Sequence, residues 1–310
     1  MTPHIVSVNS SSEKGTTKTP VPEAEIDAQG IVGDAHAGAW HRQVSLLSRE
    51  CVVSFGEAAG TVYRAGDFAE NLTIAGIDLG QVALRDCLIC GDIELEVTQI
   101  GKACHGDGCA VFRQVGTCIM PKEGIFCRVR HGGRIRPGDP ITHHPRPLRV
   151  RIVTVSDRAS RGVYEDRSGP AIEQAVVAYF AGTRWHLEVA RALVPDEAEP
   201  LRQVLSEAIA GGVEMLVTTG GTGISPRDIT PDVVTPMLDK ALPGIMDFVR
   251  IKHGERLPAA LLSRSVAGVA GQSLIYVLPG SVKAVTEYLA VILPTVEHSL
   301  LMLSGIDSHG

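Results

Sequence analysis

Cysteine vanishes partway along this 310-residue chain: the last is Cys127, and the final 183 residues contain none. The seven present (Cys51, Cys87, Cys90, Cys104, Cys109, Cys118 and Cys127) are odd in number, which speaks against a disulfide framework and for free thiols. Long apolar runs are missing too. No stretch reaches the ~18 uninterrupted apolar residues of a bilayer span, and the longest candidate, near Tyr288 to Leu303, carries Pro294, Glu297 and His298. The opening, MTPHIVSVNSSSEKG, has neither a basic stretch nor an apolar core, so no secretory signal is expected and a cytoplasmic location is. Positive charge is in deficit, with a net charge of −6 and a pI near 6.0. That excludes a general nucleic-acid binder while leaving room for a local basic site.

The length predicts about two domains. Composition breaks at Pro140-Ile-Thr-His-His-Pro-Arg-Pro-Leu148, whose prolines predict an extended connector that joins neither a helix nor a central strand. Domains over 1–145 and 146–310 are therefore expected. The first offers short β-like runs at Ile5–Val8, Gln43–Leu47, Asp92–Gln99 and Ile125–Val129, with a helix near Glu50 to Ala59, as in a small β-rich barrel. The second alternates strand and helix. Arg149–Val155, His186–Ala192, Met215–Thr218 and Ser273–Leu278 read as strands. Ile172, Ala175, Val176, Tyr179 and Phe180 share one helical face, as do Leu201, Val204, Leu205, Ala208 and Ile209, and Val282 to Leu293 reads as a third helix. This rhythm predicts a mostly parallel sheet covered on both faces, a three-layer α/β domain with ligands at the strands' carboxyl ends.

At one such end lies LVTTGGTGISPRDITPD, Leu216 to Asp232. Glycines after a strand let backbone N–H groups converge on an anion. No Lys follows them as a P-loop requires, and no G-x-G-x-x-G is present. Thr230-Pro231-Asp232 predicts a helix start with Thr230 as its cap. A carboxylate in the loop repels bare phosphate, so Asp228 suits a site where magnesium sits between acid and phosphate oxygens. A glycine-rich turn with solvated acids is the plainer alternative.

Three blocks of the second domain resemble the molybdopterin adenylyltransferase family: Val155–Asp166, Thr218–Asp232 and Leu278-Pro-Gly-Ser281. The resemblance implies a typically trimeric α/β domain. It would transfer AMP from Mg-ATP to molybdopterin's terminal phosphate and release pyrophosphate, with no need of pyridoxal phosphate. It places Asp228 and Asp196 as catalytic, magnesium- and nucleotide-positioning groups. Thr219, Gly220, Gly221, Thr222, Gly223 and Ser225 would form the ligand loop, with Gly280 and Ser281 offering amides. Asp157 is either a first-turn cap or a ligand contact, and Ser273 either a buried strand-start serine or a pterin contact.

The first domain resembles the MOSC domain through Gly30–His36, Phe68–Ile74, Ile100–His105 and Cys118–Ile125. That implies binding of molybdenum cofactor or a precursor, with Cys104 carrying persulfide sulfur or ligating molybdenum. Flanking Lys102 and His105 favour a thiolate at Cys104. An ordinary loop cysteine remains the alternative, as does a metal site joining Cys104, His105, Cys109 and Cys118, whose spacing lacks the paired ends of zinc ribbons. Cys87-Leu-Ile-Cys90 reads as two packed strand residues, and His36 and His41 as cofactor-pocket contacts ahead of metal ligands. The expected function is adenylylation of molybdopterin within molybdenum cofactor biosynthesis, feeding a downstream molybdenum-insertion protein. A cofactor storage and delivery protein, or a MOSC-based molybdenum reductase partner acting on N-hydroxylated substrates, are the alternatives.

Overall fold

The computed structural model describes residues 2–103 and 117–306, in two compact units, Met1–Arg146 and Pro147–Gly310. The first unit is β-rich. Its eight-stranded sheet runs in the order Thr142–His144, Cys87–Cys90, Ile93–Ile100, Ile125–His131, Val44–Ser48, Leu72–Ala75, His4–Ser10, Thr19–Val21. All pairs are antiparallel except Val44–Ser48 with Leu72–Ala75. Period-two alternation turns Ile5, Leu46, Leu72, Leu88, Leu95 and Ile125 into one apolar core. The helix Arg49–Ala59 starts where Ser48 accepts the Cys51 amide at 3.0 Å and stops at left-handed Gly60.

The second unit is a six-stranded mixed sheet ordered His186–Val194, Pro147–Val155, Met215–Thr219, Ser273–Leu278, Ala267–Ala270, Lys240–Ala241. The first four strands are parallel and the last two pairings antiparallel. Ala198–Ala210 packs its Leu201–Leu205–Ala208 stripe on Val153, Leu216 and Ile275 of one face. Ser168–Phe180 and Val282–Leu303 cover the other.

Two expectations are corrected. The proline segment is no free connector: Thr142–His144 is an edge strand of the first sheet, and Pro147 opens a central strand of the second. Proline is tolerated there because Pro147 pairs only with His186, while the strand's other neighbour joins at Val150 opposite Met215. The last helix does not stop at Leu293 but runs through Pro294 to Leu303. Its apolar face continues into Val296, Leu300 and Leu301, and their burial outweighs one lost backbone hydrogen bond.

Candidate active site

Val155, Val194, Thr219 and Leu278 end the four parallel strands on one side of the sheet, and Asp157, Asp196, Gly220 and Gly280 follow within two residues. From the Pro147–Val155 strand the chain passes outward to His186–Val194, then returns to Met215–Thr219 on the opposite flank. Reversal of strand order opens a crevice between the ends of the first and third of these strands. A cavity of about 340 Å³ lies there, lined among others by Ser156, Tyr164, Thr219, Gly221, Asp228 and Gly280.

The glycine loop holds its shape by using its carbonyls inward. The Thr230 hydroxyl donates to the Gly220 carbonyl at 2.9 Å, and the Thr230 amide to the Gly221 carbonyl at 3.1 Å. Arg264 takes the other two, its amide donating to Thr222 O at 2.9 Å and its Nε to Gly223 O at 2.8 Å. The Gly220 amide is bound to Leu278 O at 3.0 Å, while the amides of Gly221, Thr222 and Gly223 meet no acceptor among the described residues. The backbone of residues 221 to 223 thus presents open donors. Glycine is required at two points. At Gly220, φ is +103° and a Cβ would stand 2.3 Å from the Val155 carbonyl; at Gly221, φ is +62° and a Cβ would stand 2.6 Å from the Thr230 hydroxyl.

The acids frame this loop. Ser225 N donates to Asp228 Oδ2 at 2.9 Å, and Asp228 N returns to Ser225 O at 2.9 Å, so Asp228 caps its own turn with one oxygen and keeps the other without a partner among the described residues. Asp157 N donates to Asp196 Oδ2 at 2.8 Å, and Asp196 N to Asp157 Oδ1 at 3.1 Å. Burial, and next the charge of Asp228, raise the Asp196 carboxyl above the ordinary carboxylate range. Two acids that repel one another, each with an oxygen to spare, are a donor set that fits a hard divalent cation. Arg227 reaches from the glycine loop to an ion pair with Asp157.

Other expected residues fall into place or out of it. Thr219 donates its hydroxyl to Pro279 O at 2.9 Å, tying the two strand ends together. Ser281 accepts the Ala284 amide at 3.2 Å and caps the last helix. Asp157 is a buried first-turn residue of the short helix Asp157–Ser160, whose cap is Ser156. Of the two readings of Ser273 the buried strand-start serine holds and the pterin contact is corrected: it is buried at the opposite end of its strand, donating to Val213 O at 2.5 Å, and does not line the cavity. Thr230 is corrected as well. It lies inside the five-residue helix Thr230–Val234 and bonds back to the loop instead of capping. Sequence reasoning missed Arg264, which stands 36 residues beyond Asp228 and carries no local motif. It also gave no role to Asp166, which accepts the Thr154 hydroxyl at 2.7 Å and the Ser168 and Gly169 amides, fixing a helix start at the cavity wall.

In the first unit, Cys104, His105 and Cys109 lie outside the described residues. Cys87 and Cys90 are packed strand residues whose thiols burial pushes up to about 11. Cys118 packs beside Phe68 and Met120. His36 and His41 keep separate company. His36 Nδ1 lies 3.3 Å from Lys18 Nζ, beside the buried Lys18–Asp34 pair, whereas His41 Nε2 meets Gln99 Oε1 at 3.1 Å. Burial alone would lift the Asp34 carboxyl, but hydrogen bonds from His36 and Lys18 hold it far below the usual range.

Fold and site together define a class. Residues 33–142 match the model of the MOSC domain, and residues 151–298 that of the probable molybdopterin binding domain. Molybdopterin adenylyltransferase of Helicobacter pylori (strain J99) is 35% identical over 160 residues, covering 51% of this chain and 89% of that protein. Gephyrin of Dictyostelium discoideum is 36% identical over 161 residues, 50% of this chain, which spans only 22% of gephyrin's length. A solved molybdopterin biosynthesis protein from Mycobacterium abscessus is 32% identical, covering 51% of this chain and 96% of that one, with a TM-score of 0.46. Through its second unit the chain belongs to the molybdopterin adenylyltransferase family of molybdenum cofactor biosynthesis.

Proposed function

We propose that the second unit adenylylates molybdopterin with Mg-ATP. The observation that carries this reading is the one-sided loop. Four consecutive carbonyls, Gly220 to Gly223, are bound within the protein, while three amides remain open beside Asp228, whose charge Asp196 feels. Such a loop suits phosphate oxygens, and the two acids suit the cation that travels with a triphosphate. In the reaction, a terminal phosphate oxygen of the pterin attacks the α-phosphorus of ATP, and the bond to the β-phosphate breaks to release pyrophosphate. Bound magnesium would neutralise charge on the departing pyrophosphate. The loop amides orient the phosphates, Asp228 and Asp196 hold the cation's place, and Arg227 offers positive charge at the rim. A second cavity of about 530 Å³, sharing Thr222 and Gly223 with the first and lined by Leu257, Leu262, Pro279 and Tyr288, gives a flat heterocycle an apolar wall beside the phosphates.

The roles assigned to domains 1–145 and 146–310 follow from this reading. The first would bind molybdenum cofactor or carry sulfur through Cys104, and the second would act as a trimer. Purified protein given molybdopterin and Mg-ATP should release pyrophosphate and form adenylylated pterin. Asp228→Asn should lower kcat by roughly 100-fold or more, the scale of losing a transition-state charge contact. Full turnover by Asp228→Asn removes the assignment. Tight pterin binding with no turnover by the wild type would favour storage and delivery.

A further inference from the structure

Arg264 lies outside the lining of either cavity described above, yet it hydrogen-bonds three carbonyls of the glycine loop. Its amide holds Thr222 O at 2.9 Å and its Nε holds Gly223 O at 2.8 Å. One terminal nitrogen donates to both oxygens of Asp232, at 2.8 and 3.0 Å, and the other to the Asp228 carbonyl. A single planar guanidinium therefore spans the loop from the glycines at its entry to the acids at its exit. The arginine is itself held. Arg250, on the helix Pro243–Gly254, donates to the carbonyls on either side of Arg264, Ser263 O at 3.2 Å and Ser265 O at 2.9 Å. Tyr288 of the last helix donates to Ser263 Oγ at 3.1 Å, and Ser265 is buried.

Two helices thus fix the backbone of Arg264, and Arg264 fixes the loop. The physical effect is on direction. A peptide whose carbonyl is drawn outward by a donor must aim its amide to the opposite side. The Arg264 backbone amide, by binding Thr222 O, sets where the Gly223 amide points; the side chain, by binding Gly223 O, sets the Ile224 amide, and by gripping the Asp228 carbonyl it fixes the peptide from which that carboxylate departs.

We propose that Arg264 is the positioning residue of this site: by drawing the Gly223 and Asp228 carbonyls away from the cavity its side chain aims the Ile224 amide and Asp228 at the phosphates and their cation, beside the amides of Gly221 and Thr222 that Thr230 aims. The proposal rests on the adenylyl-transfer reading for its kinetics but not for its binding readout. Asp232 acts through the same contact, as the anchor that keeps the guanidinium in plane.

The test compares full-length wild type with Arg264→Gln, Arg264→Lys, Asp232→Asn and the double variant Arg264→Gln/Asp232→Asn. Pyrophosphate release gives kcat and KM, and paramagnetic resonance of Mn²⁺ with ATP gives cation binding without turnover. Arg264→Gln should lower kcat by about 100-fold, the scale of an ångström's misplacement. KM for the pterin should hold within about threefold, because the substitution leaves the apolar wall of Leu257, Leu262, Pro279 and Tyr288 in place. Asp232→Asn should lose about tenfold, and the double variant no more than Arg264→Gln alone, since the two residues act as one unit. Mn²⁺ binding in the presence of ATP should weaken in parallel. Arg264→Lys, which keeps the charge and loses the planar fork, should recover little. Wild-type kcat and Mn²⁺ binding in Arg264→Gln, or losses that add in the double variant, overturn the proposal. Should Arg264→Gln fail to fold, Asp232→Asn decides: unchanged kcat and unchanged Mn²⁺ binding there count against it. A wild type that binds Mn²⁺ and ATP yet releases no pyrophosphate refutes adenylyl transfer alone, and Mn²⁺ binding by the variants then decides the role of Arg264.

Discussion

Asp157 and Asp196 hold one another by exchange, each donating its backbone amide to the other's carboxylate, at 2.8 and 3.1 Å. The exchange ties together the ends of two parallel strands, Pro147–Val155 and His186–Val194. It also engages one oxygen of each carboxylate, and Asp196 stands near enough to Asp228 to feel its charge.

Asp157→Ala removes one of these bonds outright and leaves the Asp196 amide without its partner. Asp196 is only partly buried, so water reaches the freed amide and the cost is that of one hydrogen bond, about 0.5–1.5 kcal/mol. Urea unfolding of a Trp40→Phe background, followed at Trp185 in the second unit, should show an unfolding free energy lowered by that amount and a correspondingly lower midpoint. An unchanged midpoint would mean that the exchange contributes nothing to the fold.

A pH dependence follows from Asp196. Its carboxyl is raised first by burial and second by Asp228, so the folded protein binds the proton more tightly than the unfolded chain does. The resulting stabilisation is present in acid and lost as pH rises through the raised value. Asp228→Asn removes the second cause while an Asn oxygen still accepts the Ser225 amide. The ligand-free variant should therefore melt above wild type at pH 7, with the gap closing below about pH 4, where carboxylates are protonated in either protein. Melting curves from pH 4 to 8 that run parallel would contradict this.

Gly220→Ala places a methyl group 2.3 Å from the Val155 carbonyl at a φ of +103°. Strain of this kind costs about 1–3 kcal/mol before any clash is relieved. Because the clash lies at the junction of loop and central strand, loss of ATP binding should accompany the loss of stability. Calorimetry that finds wild-type affinity would show the loop tolerating a side chain where its backbone crosses the sheet.

Much of this was legible locally. The apolar run Met215–Thr219, the stripe Leu201–Leu205–Ala208 and the strand Ser273–Leu278 declare themselves by period, because neighbours in sequence share a face. The glycines after Thr219 declare a loop for the same reason. Contacts made at a distance were not legible. The antiparallel pair Ala267–Ala270 and Lys240–Ala241 has too short a pattern to read, and Arg264 meets the loop only after the chain has passed through the helix Pro243–Gly254. Two readings of Ser273 stay open in sequence because a serine's identity does not say whether its hydroxyl meets a ligand or a distant carbonyl such as Val213 O. Thr230 was misread because its hydroxyl donates to a carbonyl that precedes it by ten positions, where a cap would accept from an amide just ahead.

The loop's sorted polarity has a practical consequence for small molecules. With the carbonyls of residues 220 to 223 engaged by donors within the protein, an ammonium or amidine head would be left to the free oxygen of Asp228. Sulfate, vanadate and phosphonate fragments would find N–H groups in waiting. Inhibitor screening against this protein should begin from acceptor-rich anions, and buffers containing such anions should be avoided when nucleotide affinity is measured.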